Sequence, residues 1–442
     1  MKLLYILPAI GKKKGEKYIG TWKMAPLTLA TLKALTPKKH QVDLYDDRLE
    51  LLQEQPDYDV CAIVVETYTA LRAYKLAARL RERGIRVILG GYHVTLEPEE
   101  AAAHADAIVT GNAESVWETV LSDLEADKLQ KIYCGKTAFT PALPDLSLYE
   151  GKKYLPVSLV ETGRGCIHSC EFCAITAAYG ACYHRRPIDD ILRDVEQNRH
   201  RYFFLVDDNL IADRAHAMEL FRRLKEKNIK WAGQGTLLAG KDPALLRAMK
   251  ESGCEILLIG FESLNDENLR QMGKRHHLIK ERDQLVNAIH DAGIHIYATF
   301  VFGYDADDEQ TVQEALDFAL RHRFYTAAFN HLLPFPGTPL YARLKKEGRL
   351  RYEKWWLEED YHYGELSFVP KRLSPERLAT ACFEARKAFS APKELLRRFL
   401  RVARHSSPVL WVLFFGMNVP IGREVSQKMN VPLGGNLDEL PK

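Results

Sequence analysis

Cys166, Cys170 and Cys173 crowd into one short stretch, directly after an apolar run that ends near Val160. Thiolates are the ligands of zinc, copper(I) and iron–sulfur clusters. A loop that offers only three protein sulfurs to a four-iron cluster leaves one iron open, and that open position is where a substrate or cofactor would bind. The competing chemistry is a structural zinc site, with His168, Cys182 or His184 supplying a fourth donor. A closed zinc loop needs no barrel around it, whereas the residues that follow read as repeated strand–helix units. A disulfide framework fits poorly, because eight cysteines in 442 residues are sparse and Cys61, Cys134, Cys182, Cys254 and Cys382 stand singly.

The elements that must position this loop are legible as apolar runs. Strands are expected at 157–161, 203–207, 231–235, 256–260, 296–302 and 327–333, with helices between them. Asp242-Pro243 and Ser374-Pro375 each put a capping side chain before a proline at the first helical position. Ahead of this series, short apolar runs at 3–7, 42–45, 60–65, 87–89 and 107–109 alternate with helical periodicity, as at 70–83 and 116–124. That pattern implies a doubly wound parallel sheet with its ligand site at the carboxyl ends of the strands. Turn residues fall there: Glu66-Thr67-Tyr68, Gly90-Gly91-Tyr92-His93 and Gly111-Asn112-Ala113-Glu114. The stretch 140–149, with two prolines and no sustained period, reads as a linker.

The cysteine spacing, with Phe172 beside Cys173, resembles the Cys-x-x-x-Cys-x-aromatic-Cys signature of the radical S-adenosylmethionine (radical SAM) superfamily. The resemblance implies that Cys166, Cys170 and Cys173 hold a [4Fe–4S] cluster and that its fourth iron chelates SAM. It implies release of a 5′-deoxyadenosyl radical, with Phe172 packed beside the adenine. It also implies a partial (β/α)6 TIM-type barrel over 157–345. After the second barrel strand stand Asp207, Asp208 and Asn209, where the superfamily places contacts to the SAM amino group; the alternative is that Asp208 or Asn209 caps the next helix. Gln234 is a further polar group at the third strand. Gly260-Phe261-Glu262-Ser263 is similar to the family's Gly-x-Glu-Ser, which makes Glu262 a SAM contact, the alternative being an ion pair with Arg270 or Lys274. The fifth strand matches the one that contacts adenine, with Phe300, Val301 and Phe302 as wall and Gly303 as turn.

A second resemblance, to the Rossmann-like cobalamin-binding domain found ahead of many such barrels, covers 1–138. It implies cobalamin contacts at Thr67, Gly90, Gly91, His93, Gly111 and Glu114. No stretch fits the Asp-x-His-x-x-Gly pattern that supplies a histidine below cobalt, and His93 suits the nucleotide tail better. The alternative is a sheet that has kept the shape and lost the cofactor. A linker over 139–156 and a small helical C-terminal domain over 346–442 complete the expected α/β organisation.

Composition narrows the function. Hydrophobic content of 46% and aromatic content of 10% are those of a folded protein with sizeable cores, and a net charge of +3 gives no sign of nucleic acid. Pro8 and the run Lys12 to Lys14 interrupt the opening apolar residues, so no secretory signal is read there and a cytoplasmic location is expected. Trp355, Trp356, Tyr361, His362 and Tyr363 either line a substrate pocket or pack a cap. Over 392–416, basic residues precede an apolar run too short to span a bilayer; it is either a buried helix or a peripheral membrane contact that presents a lipid. The combined expectation is cobalamin-dependent C-methylation of a small-molecule or lipid-like substrate, fed by a one-electron donor such as flavodoxin or ferredoxin. Radical cyclisation, ring contraction or oxidation, and a non-catalytic metal-bound scaffold, are the alternatives.

Overall fold

The computed structural model describes residues 1–53, 57–136, 142–198, 200–274, 281–405 and 408–438. Six strands form an all-parallel first sheet: β1 (Lys2–Leu7), β2 (Gln41–Asp46), β3 (Val60–Val64), β4 (Arg86–Gly90), β5 (Ala107–Thr110) and β6 (Ile132–Cys134), in the order β2-β1-β3-β4-β5-β6. Because helices cover both faces, these strands are continuous apolar runs rather than alternating ones. Leu4, Ile6, Cys61 and Ile63 face the helix Ala70–Arg81, while Leu3, Tyr5, Val60 and Ala62 face Leu27–Ala34. The chain therefore leaves β1 towards one face and β3 towards the other, which opens a crevice between their carboxyl ends.

The second sheet is also parallel. Its strands are β7 (Ser158–Val160), β10 (Tyr202–Leu205), β11 (Lys230–Gly235), β12 (Cys254–Glu262), β13 (His295–Phe302) and β14 (Thr326–His331), in that order. All six overlap the strands expected from the sequence. A two-stranded antiparallel ribbon, β8 (Gly163–Gly165) with β9 (Tyr183–Arg185), was not anticipated, and it brackets the cysteine loop. Helices start where side chains cap them: Asp213, Asp242, Asn265, Asp308, Thr338 and Ser374 each accept from a first-turn N–H.

One expectation changes and one open alternative is decided. The expected linker, where described, packs on the first sheet: Asp145 N–H donates to the Ala30 carbonyl at 3.0 Å, Leu148 joins that core, and Tyr149 bonds the Pro26 carbonyl. Trp355, Trp356 and Tyr361 are core residues against the first sheet, whereas Tyr363 is only half buried. The chain's last described residues tie back to its start. Arg72, buried, bridges Asp47 and Asp438, and Gly434 N–H donates to the Ile10 carbonyl at 2.6 Å.

Candidate functional site

The cysteine loop runs from β8 to β9 at the carboxyl edge of the second sheet. Its fixed points are backbone bonds: Glu171 N–H to the Met272 carbonyl (2.9 Å), Leu340 N–H to the Glu171 carbonyl (3.1 Å) and Cys173 N–H to the Cys170 carbonyl (3.1 Å). All three thiols are half buried. Burial pushes Cys170 up to about 11, with Lys274 opposing the rise, and raises Cys166, whose sulfur accepts from the His168 N–H and the Asn209 side chain. Among the described residues no three His, Cys, Asp or Glu side chains gather as the donors of a single ion would. A cube takes each cysteine on a different iron, so three half-exposed thiols spread along one pinned loop suit it chemically. Cys182 and His184 pair with each other at 3.2 Å instead of turning to the triplet.

Around the loop the expected site residues separate into two groups. Asp208 and Glu262 stay at the mouth. Asp208 accepts from Gly165 N–H at 3.0 Å, which couples the second strand's end to β8, and its own carbonyl accepts from Gln234 at 3.0 Å. Glu262 closes β12 with φ of 60°, a left-handed conformation rare outside glycine, at a bulge in the pairing with β13. Its carboxylate lies 2.7 Å from Lys274. Phe172 stands edge-on to Tyr304 at 6.5 Å on the rim of the barrel core.

Asp207 and Phe302 do not face the mouth. Asp207 is buried and accepts from Thr162 N–H, Thr162 Oγ1 and Tyr183 Oη at 2.7 to 2.8 Å, a complete set of donors that locks β7 to β9. Phe302 shares the strand face of Phe300, which stacks on Phe261 and Phe329 in the layer behind the barrel; alternation along β13 sends Val301, Thr299 and Tyr297 to the lumen. Asp213 caps the helix after β10, so neither Asp208 nor Asn209 is used that way.

On the first sheet, Thr67 begins the turn after β3, at the crevice between β1 and β3. Beside it stands Glu66, exposed to solvent, whose pKa is raised by desolvation with Arg48 opposing the rise. Gly90 ends β4 without crowding. Gly91 has φ of 113°, and a Cβ there would meet the Val65 carbonyl at 2.6 Å; Gly111 has φ of 67° and would meet the Gly135 carbonyl at 2.7 Å. Backbone packing alone explains both glycines. His93 is fully buried, 3.0 Å from Glu100 and edge-on to Trp356, so it faces the core and offers nothing to a nucleotide tail. Glu114 accepts from Arg164 at 2.9 Å. Arg164, on β8, also binds Glu161 through two nitrogens and donates to Asn112 at 2.6 Å. Tyr92, after β4, meets Tyr179 of the helix that follows Cys173. The two carboxyl-terminal edges thus face one shared space. Sequence reasoning named Tyr68 only as part of a turn and did not find Arg164, because a single sequence carries no signal that couples Arg164 to the cysteines.

The sequence model of the radical SAM superfamily matches residues 160–319, and one for a domain of unknown function matches 338–411. The chain is 30% identical to bacteriochlorophyllide d C-12(1)-methyltransferase of Chlorobaculum tepidum, over 88% of this chain and 86% of that protein. It is 28% identical to bacteriochlorophyllide d C-8(2)-methyltransferase of the same organism, over 79% and 82%. Among solved structures it resembles the radical SAM methyltransferase TsrM of Kitasatospora setae with cobalamin and a [4Fe–4S] cluster bound; the TM-score is 0.68 over 96% of this chain and 99% of that one, at 14% identity, a likeness of fold. An open parallel barrel with a three-cysteine loop at its mouth defines a radical SAM enzyme. This chain belongs to the radical SAM superfamily.

Proposed function

We propose that the chain is a cobalamin-dependent methyltransferase acting on an unactivated carbon of a small organic or lipid-like molecule. The observation that carries this reading is the junction at Arg164, which joins the strand entering the cysteine loop to the Asn112–Glu114 turn of the first sheet. Two cofactor edges face each other there across one space. Bound in that space, cluster, SAM and cobalamin supply a carbon-centred radical and a methyl group. In this reading Cys166, Cys170 and Cys173 hold the cluster, and Phe172, Asp208, Glu262 and Val301 border SAM. Glu66, Thr67, Tyr68 and Gly90 border cobalamin. The named activities of the two Chlorobaculum relatives support methylation, and the cobalamin in the TsrM structure supports the second cofactor. We set the domain boundaries at 1–156, 157–345 and 346–442, and assign the electron supply to a flavodoxin or ferredoxin.

No helix among the described residues is long and apolar enough to cross a membrane. Peripheral contact is part of the proposal, supported by Leu396, Leu400, Val412 and Phe415, which stand exposed on the helices Pro392–His405 and Pro408–Lys428 beside Lys393, Arg397 and Arg404. The function is tested by anaerobic loading with iron, sulfide and hydroxocobalamin. Co-elution of cobalamin, 5′-deoxyadenosine release and a product heavier by one methylene are expected; a loaded cluster with SAM cleavage and no mass gain rejects methylation.

A further inference from the structure

Arg386, on the helix Pro375–Phe389, forms no ion pair among the described residues. Its Nε donates to the Phe329 carbonyl at 2.7 Å, Nη2 donates to Asn330 Oδ1 at 3.3 Å and Nη1 lies 3.9 Å from Met429 Sδ. Of the arginines drawn into the interior of this protein, Arg72, Arg164, Arg186 and Arg343 each meet a carboxylate, while Arg398, closed off from solvent, meets the Tyr325 and Phe389 carbonyls and Asn418 and lies over the Phe389 ring. Arg386 meets two neutral oxygens and a thioether. Leaving a partly desolvated guanidinium without a counter-charge is costly unless something else supplies the charge.

Its surroundings say what that something looks like. The bonds to Phe329 and Asn330 fix the guanidinium at the carboxyl end of β14, and Asn330 is the register partner of Val301 on the lumen face. Tyr363 stands 5.4 Å from Tyr68 and 5.3 Å from Trp22, ring centre to ring centre. Tyr68 belongs to the turn after β3, so this ring cluster runs from the crevice of the first sheet to the barrel. Tyr297 extends it into the lumen, close enough to Tyr363 for the two phenols to influence each other. The charge of Arg386 reaches Tyr68, Tyr363 and His331, and burial together with that charge holds His331 down to about 4. Lys428 lies over the Trp22 ring at 5.5 Å but is paired with Glu424 at 3.5 Å, so Arg386 is the cation of this wall that has no carboxylate partner among the described residues. The same helix lines a cavity of about 500 Å³ with Ala379, Thr380 and Phe383, one turn before Arg386, and Met429 is shared between that cavity and the guanidinium.

Resting on the reading of this space as the site of methyl transfer, we propose that Arg386 is the specificity-determining residue that recognises a carboxylate of the substrate. The substrate is then a flat, largely apolar molecule that lies against the tyrosine wall and carries an acidic side chain. A carboxylate takes the fork of a guanidinium in paired hydrogen bonds, while rings supply area without charge.

The test uses the full chain with its cluster loaded and the single-carboxylate chlorin pyropheophorbide a as probe, with its methyl ester as control, read by absorption and fluorescence titration in the absence of turnover. The acid is expected to bind at least tenfold more tightly than the ester. Arg386→Gln brings the acid to the level of the ester and leaves the ester unchanged; Arg386→Lys keeps part of the preference. Equal binding of acid and ester, binding of neither, or an undiminished preference in Arg386→Gln overturns the proposal, and the acid-to-ester comparison in the unaltered chain decides even where a variant misfolds. Loss of methyl transfer with this preference intact would reject the function and leave the anion site standing.

Discussion

The Lys274 ammonium lies 2.7 Å from Glu262 Oε1 and donates to the Gly260 carbonyl at 2.6 Å, so the end of the fourth barrel strand is held by a buried cation that also faces Cys170. Glu262 can turn to a ligand only by sharing or releasing this partner. Removing the cation strands a carboxylate in a left-handed backbone position. Lys274→Met is therefore expected to cost about 3 kcal/mol of stability, the scale of a broken buried pair. Denaturant unfolding measures it. Glu262→Gln is expected to weaken SAM binding to the cluster-loaded protein at least tenfold in equilibrium dialysis.

The cysteine assignment separates cluster from zinc. Replacing Cys166, Cys170 or Cys173 by alanine is expected to abolish iron binding on anaerobic reconstitution, while Cys182→Ala and His184→Ala leave iron content and the spectrum of the reduced cluster unchanged. In a zinc loop closed by Cys182 or His184, loss of that residue would empty the site as effectively as loss of a triplet cysteine, and His168→Ala tests the remaining candidate donor in the same way. Metal analysis and electron paramagnetic resonance read the difference.

What the sequence made legible follows from how each feature is encoded. The barrel strands were readable because both faces of a parallel sheet are buried, which leaves uninterrupted runs such as Cys254–Glu262 and His295–Phe302. The cysteine spacing was readable because it is local. The face a strand residue presents is not: Phe302 and Val301 are neighbours in the chain, and only the stacking of Phe300 on Phe261 and Phe329 sends one behind the barrel and the other into it. His93 follows paired glycines as a ligand contact would, yet Glu100 and Trp356, far along the chain from each other, claim it for the core. Arg164 with Glu114, and Arg386 with Asn330, are likewise products of the fold.

Arg164 holds the two cofactor edges at a fixed spacing through Glu161, Glu114 and Asn112. Arg164→Gln keeps some hydrogen bonding and loses the charge, so the edges should separate while the cluster stays bound. Uncoupling is the expected result: 5′-deoxyadenosine formed per methylated product rises about tenfold or more, with SAM cleavage itself little altered. Chromatographic quantitation of both species checks it, and an unchanged ratio would show that the junction does not set the spacing.

Asp207 gives the protein a defined pH response. Burial, partly opposed by the donors Thr162 and Tyr183, raises its pKa to about 7, against about 3.9 for an unfolded aspartate. Between those values the folded state binds the proton that the unfolded state has released, so this group's contribution to stability is full below about pH 4 and is lost as pH rises through 7. Asp207→Asn can keep every bond, since the Thr162 and Tyr183 hydroxyls can turn to accept from the new amide. The variant is expected to lose this part of the decline in stability between pH 4 and 7, measured as the difference in unfolding free energy from the parent across that window.

The helices Pro392–His405 and Pro408–Lys428 present Leu396 (57% exposed), Leu400 (51%), Val412 (72%) and Phe415 (39%) to solvent. Leu396 and Leu400 are one turn apart on a face that also carries Lys393, Arg397 and Arg404, while Arg398, Val402 and Phe414 point inward and fix the pair of helices to the body. Such a surface fits the proposed membrane contact, in which leucine and phenylalanine would enter among acyl chains while the cations meet anionic headgroups. Sedimentation with vesicles containing phosphatidylglycerol is expected to bring the protein down at low salt, and pelleting should weaken as salt screens the cations. Replacing both Leu396 and Leu400 by serine removes apolar area without touching the packed face, so binding should fall about tenfold with thermal stability unchanged. Equal pelleting of parent and variant would assign these residues to another partner.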